Sequence, residues 1–208
     1  MEPRPLKLII EALLFSSDRP LSAKEIQGWM GQVNVSEVRS ALEELRADYE
    51  QMGRSFLLQE VAGGFQFRTK SEYSPFILKM LKTTPSKLSR AALETLAIVA
   101  YKQPIVRQEI EQLRGVDVGG ILRSLLEKDL IRIVGRKNLP GKPLVYGTTK
   151  RFLEVFGLKD LDSLPRLKEI RELTSKGTEG NPSSTPEPHT TSKENHERQK
   201  REAQGQKI

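Results

Sequence analysis

The same order of helix and strand signals occurs twice along the chain, and this order limits the fold more than any other feature of the sequence. Residues 1–82 hold three helical segments followed by two short apolar strands on either side of a Gly-Gly pair. Residues 89–173 hold three helical segments followed by two strands with a longer loop between them. Three helices and a β-hairpin form the order of a winged helix. The sequence therefore predicts a mostly α fold with small β-hairpins (α+β), built as two winged-helix domains in tandem.

Boundaries in the first domain follow from capping residues and helix breakers. Ser22 and Glu25 match a capping box, in which each side chain accepts a hydrogen bond from the other residue's backbone N–H. Gly31 ends that helix, and Ser36 is the predicted cap of the next one. Pro75 stands in the first turn of the last helix, where proline is tolerated. The predicted helices are residues 6–16, 22–30, 36–52 and 72–82, and the predicted strands are 56–61 and 65–69.

The second domain repeats this order after a linker predicted at residues 83–88. Ser89 begins its first helix, and Asp117 is the predicted cap of its third. A leucine-rich stretch, residues 158–173, is expected to pack back on this domain. The predicted helices are residues 89–102, 106–114, 117–129 and 150–156, and the predicted strands are 130–136 and 144–149.

Residues 174–208 differ in composition from the rest of the chain. They contain no aromatic residue, and their only aliphatic side chains are Ala203 and Ile208. Such a segment cannot bury enough apolar surface to offset about 1–2 kcal/mol of backbone entropy per ordered residue. The sequence thus predicts an N-terminal domain at 1–82, a C-terminal domain at 89–173 and a disordered polar tail at 174–208.

The residue types needed for most catalytic and metal sites are missing from both predicted domains. The chain has no cysteine, and its two histidines, His189 and His196, lie in the polar tail. This excludes disulfides, thiolate metal sites and imidazole-dependent triads. The glycine-rich segment 135–142 is not a phosphate loop, since five residues separate its glycines and Pro143 replaces the magnesium-binding hydroxyl. We therefore predict a protein that is not an enzyme and needs no cofactor, metal or small-molecule substrate; an enzyme would need a site built from Asp, Glu, Lys and Ser alone.

Neither predicted recognition helix suits sequence-specific DNA readout. The outward residues of the helix at 36–52 are net acidic, and residues 117–120 offer almost no side chain to read a base. The second wing is basic, because residues 130–153 contain no acidic residue. This patch suits weak, non-specific contact with DNA phosphates or with an acidic partner. A hairpin that is merely exposed to solvent would carry the same basic residues, so both explanations stay open. The basic residues are Arg132, Arg136, Lys137, Lys142, Lys150 and Arg151.

Two helical segments carry more apolar residues than one small core needs. Residues 6–15 are apolar except for Lys7 and Glu11, and residues 96–101 are apolar without interruption. Burial by later segments of the same domain and burial in a protein interface both account for this excess. The segment 8–15 is too short to span a bilayer, and the N-terminus does not resemble a signal peptide, so a cytoplasmic protein without membrane contact is expected. The predicted dimer-interface residues are Leu6, Ile10, Leu13 and Leu14.

Seven segments of the chain form a long signature. They are residues 10–15, 60–64, 88–105, 114–117, 135–137, 140–143 and 146–149. This signature resembles the segregation and condensation protein B (ScpB) family, the kleisin-associated subunits of the bacterial SMC condensin complex. The resemblance covers about residues 8–165 and is most specific between 88 and 149.

This resemblance implies a non-enzymatic, nucleoid-associated subunit that forms a homodimer through its N-terminal domains. It also implies binding to the kleisin ScpA, which bridges the SMC ATPase heads, and a role in chromosome condensation and partition during cell division. Small residues at the start of the third helix would let a partner backbone approach closely. The alternative is a winged-helix nucleoid or transcription factor that binds DNA directly. The predicted kleisin-docking residues are Tyr101, Val118, Gly119, Gly120 and Arg123.

Overall fold

The computed structural model describes residues 5–82 and 87–166. The chain divides into two units after Leu164, and the described helices, strands and cores all belong to the first. Of the second unit only Pro165 and Arg166 are described. The predicted disordered tail at 174–208 lies outside the described residues, as do positions 83–86 of the predicted linker.

The first half contains three helices, a β-hairpin and a fourth helix, in the predicted order. The third helix begins earlier than predicted, because Asn34 and not Ser36 precedes its first turn. The Glu37 carboxylate accepts a hydrogen bond from the Asn34 backbone N–H at 3.1 Å, which places Ser36 inside the helix. The elements are α1 (Leu6–Ser16), α2 (Ala23–Met30), α3 (Val35–Gln51), β1 (Phe56–Val61), β2 (Gly64–Thr69), a 3₁₀ turn (Ser71–Tyr73) and α4 (Ser74–Leu81).

The second half follows the predicted order with one additional strand. Residues Ile105–Val106 pair antiparallel with the last strand, so the sheet has three strands and not two. The predicted cap Asp117 does not occupy the cap position, which is Val118, although its Oδ1 accepts from the Gly119 backbone N–H at 3.0 Å. The elements are α5 (Arg90–Lys102), β3 (Ile105–Val106), α6 (Arg107–Arg114), α7 (Gly119–Glu127), β4 (Ile131–Arg136), β5 (Leu144–Thr148), α8 (Lys150–Phe156) and a 3₁₀ turn (Leu161–Ser163).

Buried side chains form two separate clusters, one in each half. The N-terminal core joins α1, α2 and α3 to the hairpin, and the C-terminal core joins α5, α6, α7 and α8 to the three-stranded sheet, whose order is β3-β5-β4. The fold is therefore mostly helical with two small antiparallel sheets, as the sequence predicts. The fully buried side chains include Ile10, Leu14, Ile26, Leu42 and Leu58 in the N-terminal core, and Val99, Ile110, Val118, Leu125 and Ile131 in the C-terminal core.

The Gly-Gly pair of the first hairpin has a different role from the predicted turn. The two turn residues are Ala62 and Gly63, both with positive φ, and Gly64 already pairs with Val61 in the strands. Leu21 runs alongside β2 and exchanges two backbone hydrogen bonds with Phe65, at 2.8 and 2.9 Å. A Cβ on Gly64 would lie 2.8 Å from the carbonyl carbon of Leu21. The glycine is therefore required by the close approach of this neighbouring backbone.

We expect Gly64→Ala to destabilise the protein, because the added methyl meets backbone atoms that cannot rotate away. The cost should reach at least about 2 kcal/mol, in the range of overpacking. Gly28→Ala is the matched control: nothing lies within 4 Å of its added Cβ, and alanine favours a helix interior by about 1 kcal/mol. Urea unfolding of both variants measures the difference, and a Gly64→Ala variant as stable as the parent would contradict this account.

The capping box at the start of α2 is present as predicted. The Ser22 backbone N–H donates to Glu25 Oε2 at 2.9 Å, and the Glu25 backbone N–H donates to Ser22 Oγ at 3.2 Å. Arg19 Nη1 lies 2.8 Å from Glu25 Oε1. Hydrogen bonds from the Ser22 hydroxyl and backbone, then the one from Arg19, lower the pKa of Glu25 to about 2.

This depressed pKa predicts a pH-dependent contribution to stability. In the unfolded chain the pKa of a Glu is about 4.3, so the ionised carboxylate stabilises the fold fully above that value and its contribution is lost as pH falls towards 2. Glu25→Gln should lower the Tm by a few degrees at pH 7, and the difference from the parent should shrink steadily between pH 5 and pH 2. Glu44→Gln, at an exposed site on α3, serves as the control. A difference in Tm that stays constant over this range would contradict the role of Glu25.

Candidate partner-binding surfaces

The five predicted docking residues lie near the end of α5 and the start of α7, but they do not form one exposed surface. Val118 is fully buried in the C-terminal core, so its prediction as a docking residue is wrong. Tyr101 is half-buried. Open space surrounds Gly120, and Arg123 is exposed beside Glu127, with Nε and Oε1 3.6 Å apart. Of the five, Gly120 and Arg123 are the most accessible.

Gly119 lies against the Arg107 side chain of its own domain. A Cβ on Gly119 would lie 2.9 Å from Arg107 Nη1. The guanidinium donates to Glu111 Oε1 at 2.6 Å and also to Asp117. Its pKa is raised, first by the hydrogen bond to Glu111 and then by the charge of Asp117. Arg107 thus joins α6 to the turn before α7 and partly covers Gly119.

The turn between α6 and α7 has an exposed apolar surface that the sequence prediction missed. Leu113 and Val116 are 59% and 53% exposed, and they flank the predicted turn at Gly115, so the sequence did contain this signal. An open groove of about 580 Å³ lies at the same turn. It is lined by Gln108, Glu111, Gln112, Gly115, Val116 and Asp117.

All six residues of the predicted basic patch are exposed, on β4, the β4–β5 loop and the start of α8. Three of them already have partners. Lys137 Nζ lies 2.7 Å from Glu109 Oε1, a contact that lowers the pKa of Glu109, and Arg151 Nη1 lies 3.3 Å from Glu154. Arg136 donates to the Lys142 carbonyl at 3.2 Å. Within residues 5–82 and 87–166, the ion pairs include none with Arg132, Lys142 or Lys150.

Helix α1 exposes a different face from the one predicted for the dimer. Ile10 and Leu14 are buried in the N-terminal core, and Leu6 and Leu13 are half-buried against it. The prediction is therefore wrong for Ile10 and Leu14, because their contacts are made within their own half. The exposed apolar side chains are Leu8 and Phe15, which are 55% and 80% exposed and lie seven residues apart on one face of the helix.

Helix α4 also exposes large apolar side chains, and the sequence prediction did not select it. None of its eight residues is buried. Phe76 and Met80 are 73% and 72% exposed, and Leu81 is 56% exposed. Five of the eight residues are large and apolar, the same signal that singled out α1. Exposed apolar side chains of this size in a row form a candidate protein-binding surface.

The apolar run at residues 96–101 is mostly taken up by the domain's own core. Leu96, Val99 and Ala100 are buried in the C-terminal core. The burial of these residues leaves only part of the run for a partner. Among the described residues, no group of acidic or histidine side chains has a metal-binding arrangement, and no helix is long and apolar enough to cross a membrane.

Comparison with known families shows the family of this chain. Residues 8–167 match the family described as "Segregation and condensation complex subunit ScpB". The chain belongs to the ScpB family.

Relatives of this ScpB family member are 41–48% identical to it over most of its length. Segregation and condensation protein B of Syntrophotalea carbinolica is 48% identical over 84% of this chain and 88% of that protein. The protein of the same name from Moorella thermoacetica is 43% identical over 79% of this chain and 84% of its own length. That of Myxococcus xanthus is 41% identical over 84% of this chain, but over 53% of its own longer sequence.

Two solved structures match in sequence but superpose poorly. The crystal structure of ScpB from Mycobacterium tuberculosis is 34% identical and covers 74% of this chain and 95% of that one, with a TM-score of 0.35. The dimer of a ScpB N-terminal domain complexed with a ScpA peptide is 36% identical and covers 37% of this chain and 95% of that one, with a TM-score of 0.34. TM-scores this low carry no inference about a shared arrangement.

Proposed function

We propose that the chain is a non-enzymatic subunit of the SMC–kleisin condensin complex, which binds the kleisin ScpA as a homodimer. The family match over residues 8–167 carries this proposal. Through the kleisin the subunit is joined to the SMC ATPase, and it supports chromosome condensation and partition during cell division. Its place is then the cytoplasm, at the nucleoid.

The two halves are proposed to be winged-helix domains, at residues 1–82 and 89–173. The element order supports this, because in each half three helices precede an antiparallel hairpin. The helices that would read DNA are unsuitable for base contacts. Exposed Glu37, Glu43 and Glu44 on α3 would repel phosphates, and the start of α7 carries two glycines. We therefore assign both domains to protein binding.

Dimerisation is proposed to use the exposed apolar surfaces of the N-terminal half. The exposed face of α1 and the whole of α4 supply this surface, which the N-terminal core does not cover. Identical apolar surfaces on two copies can cover one another across a two-fold axis. Burying a large apolar side chain contributes about 1.5–3 kcal/mol, so Phe76 and Met80 together can dominate the association.

The double variant Phe76→Glu/Met80→Glu should convert the full-length dimer to a monomer at micromolar concentration. Loss of two buried apolar side chains weakens association by roughly a hundredfold or more. The fold should be unchanged by circular dichroism, because neither side chain is buried in its own half. Val155→Glu, at a 52% exposed apolar site on α8, is the control and should stay dimeric. Light scattering that finds the double variant dimeric, or the parent monomeric, would contradict this proposal.

Kleisin docking is proposed at the groove beside the α6–α7 turn and the open start of α7. Leu113 and Val116 offer apolar contact there, Gly120 leaves room for a partner backbone, and Arg123 lies one turn along the helix. The basic residues around β4 would attract an acidic partner segment and speed its approach. Tyr101, half-buried near the end of α5, stays a candidate.

Replacing Gly120 with Arg should weaken kleisin binding at least tenfold, since the long side chain occupies the space beside α7. Gly28→Arg is the matched control, because it also places an arginine at an open helical glycine, but in the N-terminal half. Affinity of each full-length variant for the cognate kleisin can be measured by calorimetry, with light scattering to verify an unchanged oligomeric state. If Gly120→Arg and Leu113→Glu both bound with the parent's affinity, the docking surface would lie elsewhere.

Direct but weak DNA binding is a second candidate function of the basic patch. The observation behind it is that Arg132, Lys142 and Lys150 are exposed and make no ion pair with the described residues. Binding of this kind depends steeply on salt and little on base sequence. Retardation of an arbitrary duplex, lost at raised salt, would favour this function, whereas tight binding to one duplex sequence would favour a transcription factor.

A further inference from the structure

The tip of the first hairpin contacts the segment that follows α8, although nearly 100 residues separate them in sequence. The backbone N–H of Ala62 donates to the Leu158 carbonyl at 2.8 Å, and that of Gly63 donates to the Lys159 carbonyl at 2.9 Å. These two N–H groups belong to the turn residues of the hairpin and lie outside the β1–β2 ladder. The N-terminal half thus uses a backbone edge to bind the C-terminal half.

Side chains on both sides extend this contact. Gln59 Nε2 donates to the Gly157 carbonyl at 3.1 Å. Lys159 Nζ lies 3.0 Å from Glu60 Oε2, and the Glu60 side chain is only 17% exposed. Gly157 ends α8 with a φ of +65°, and a Cβ there would lie 3.2 Å from Gln59 Nε2. The contact therefore combines three hydrogen bonds with one partly buried ion pair.

We propose that the β1–β2 turn and residues 157–159 form an interdomain latch that holds the two cores in one relative orientation. The described cores share no buried residue, so the orientation needs some other fixed contact. Domains of one chain move relative to one another by default. The latch opposes this motion with directional backbone hydrogen bonds at one point of contact. A partner that binds both halves then loses less conformational entropy on binding.

The latch can be tested by measuring a distance between the halves in the full-length chain. Because the chain has no cysteine, two introduced cysteines can be spin-labelled without side reactions. Exposed Gln51 at the end of α3 and exposed Lys128 after α7 are suitable sites. Labelled chain is mixed with an excess of unlabelled chain, so that pulsed electron resonance reports one distance within one chain.

The parent is expected to give a narrow distance distribution. The variant Gln59→Leu/Lys159→Glu should give a distribution about twice as wide, because it removes one hydrogen bond and places two carboxylates side by side. The swapped pair Glu60→Lys/Lys159→Glu should be narrow again, because it restores opposite charges. Lys137→Glu is the control, since it breaks the Glu109–Lys137 contact inside the C-terminal half with the same change in charge. A broad distribution in the parent, or a narrow one in Gln59→Leu/Lys159→Glu, would overturn the latch.

Discussion

Each half of this chain has a core that is too small to cover the apolar side chains carried by its helices, and the proposed assembly depends on this limit. Domains of this size bury a smaller share of their surface than larger ones do. Helix α1 places Ile10 and Leu14 in the N-terminal core and leaves Leu8 and Phe15 outside, while α4 places no residue inside. In the second half, Leu113 and Val116 are likewise left exposed by the core. The uncovered side chains are the ones that a partner or a second copy would bury.

Three glycines of the chain have different surroundings at the position where a side chain would lie. Gly64 leaves room for the Leu21 backbone, and Gly119 leaves room for the Arg107 guanidinium. Gly120, its immediate neighbour, faces open space. Of the pair 119–120, only Gly120 has the open surroundings that the sequence analysis predicts for both glycines. Side-chain size alone therefore cannot separate a glycine needed for folding from one that keeps a surface open.

Sequence reasoning was most successful where local chemistry decides the structure. The capping box at Ser22 and Glu25, the helix stop at Gly31 and the order of elements in both halves could be predicted, because each depends on neighbours in the chain. The strand β3 could not, because two residues are too few to show a periodic pattern. Its pairing with β5 depends on residues about 40 positions away.

The candidate surfaces were predicted less well than the fold, for a physical reason. A helix that is apolar on several sides does not reveal which side its own core takes, so Ile10 and Leu14 were assigned to the wrong surface. Val118 was assigned to an exposed helix start, but its side chain turns into the C-terminal core. Family membership, by contrast, followed from a long contiguous signature and is confirmed by the match over residues 8–167.

The claim that uncovered apolar surface drives assembly is tested most directly by hydrogen–deuterium exchange of the full-length protein. Backbone amides of α4 should exchange slowly at micromolar concentration, where a second copy covers the helix, and much faster after dilution to the monomer. Adding the cognate kleisin should slow exchange at the α6–α7 turn. Fast exchange of α4 under all these conditions would show that no partner covers it and would contradict the account.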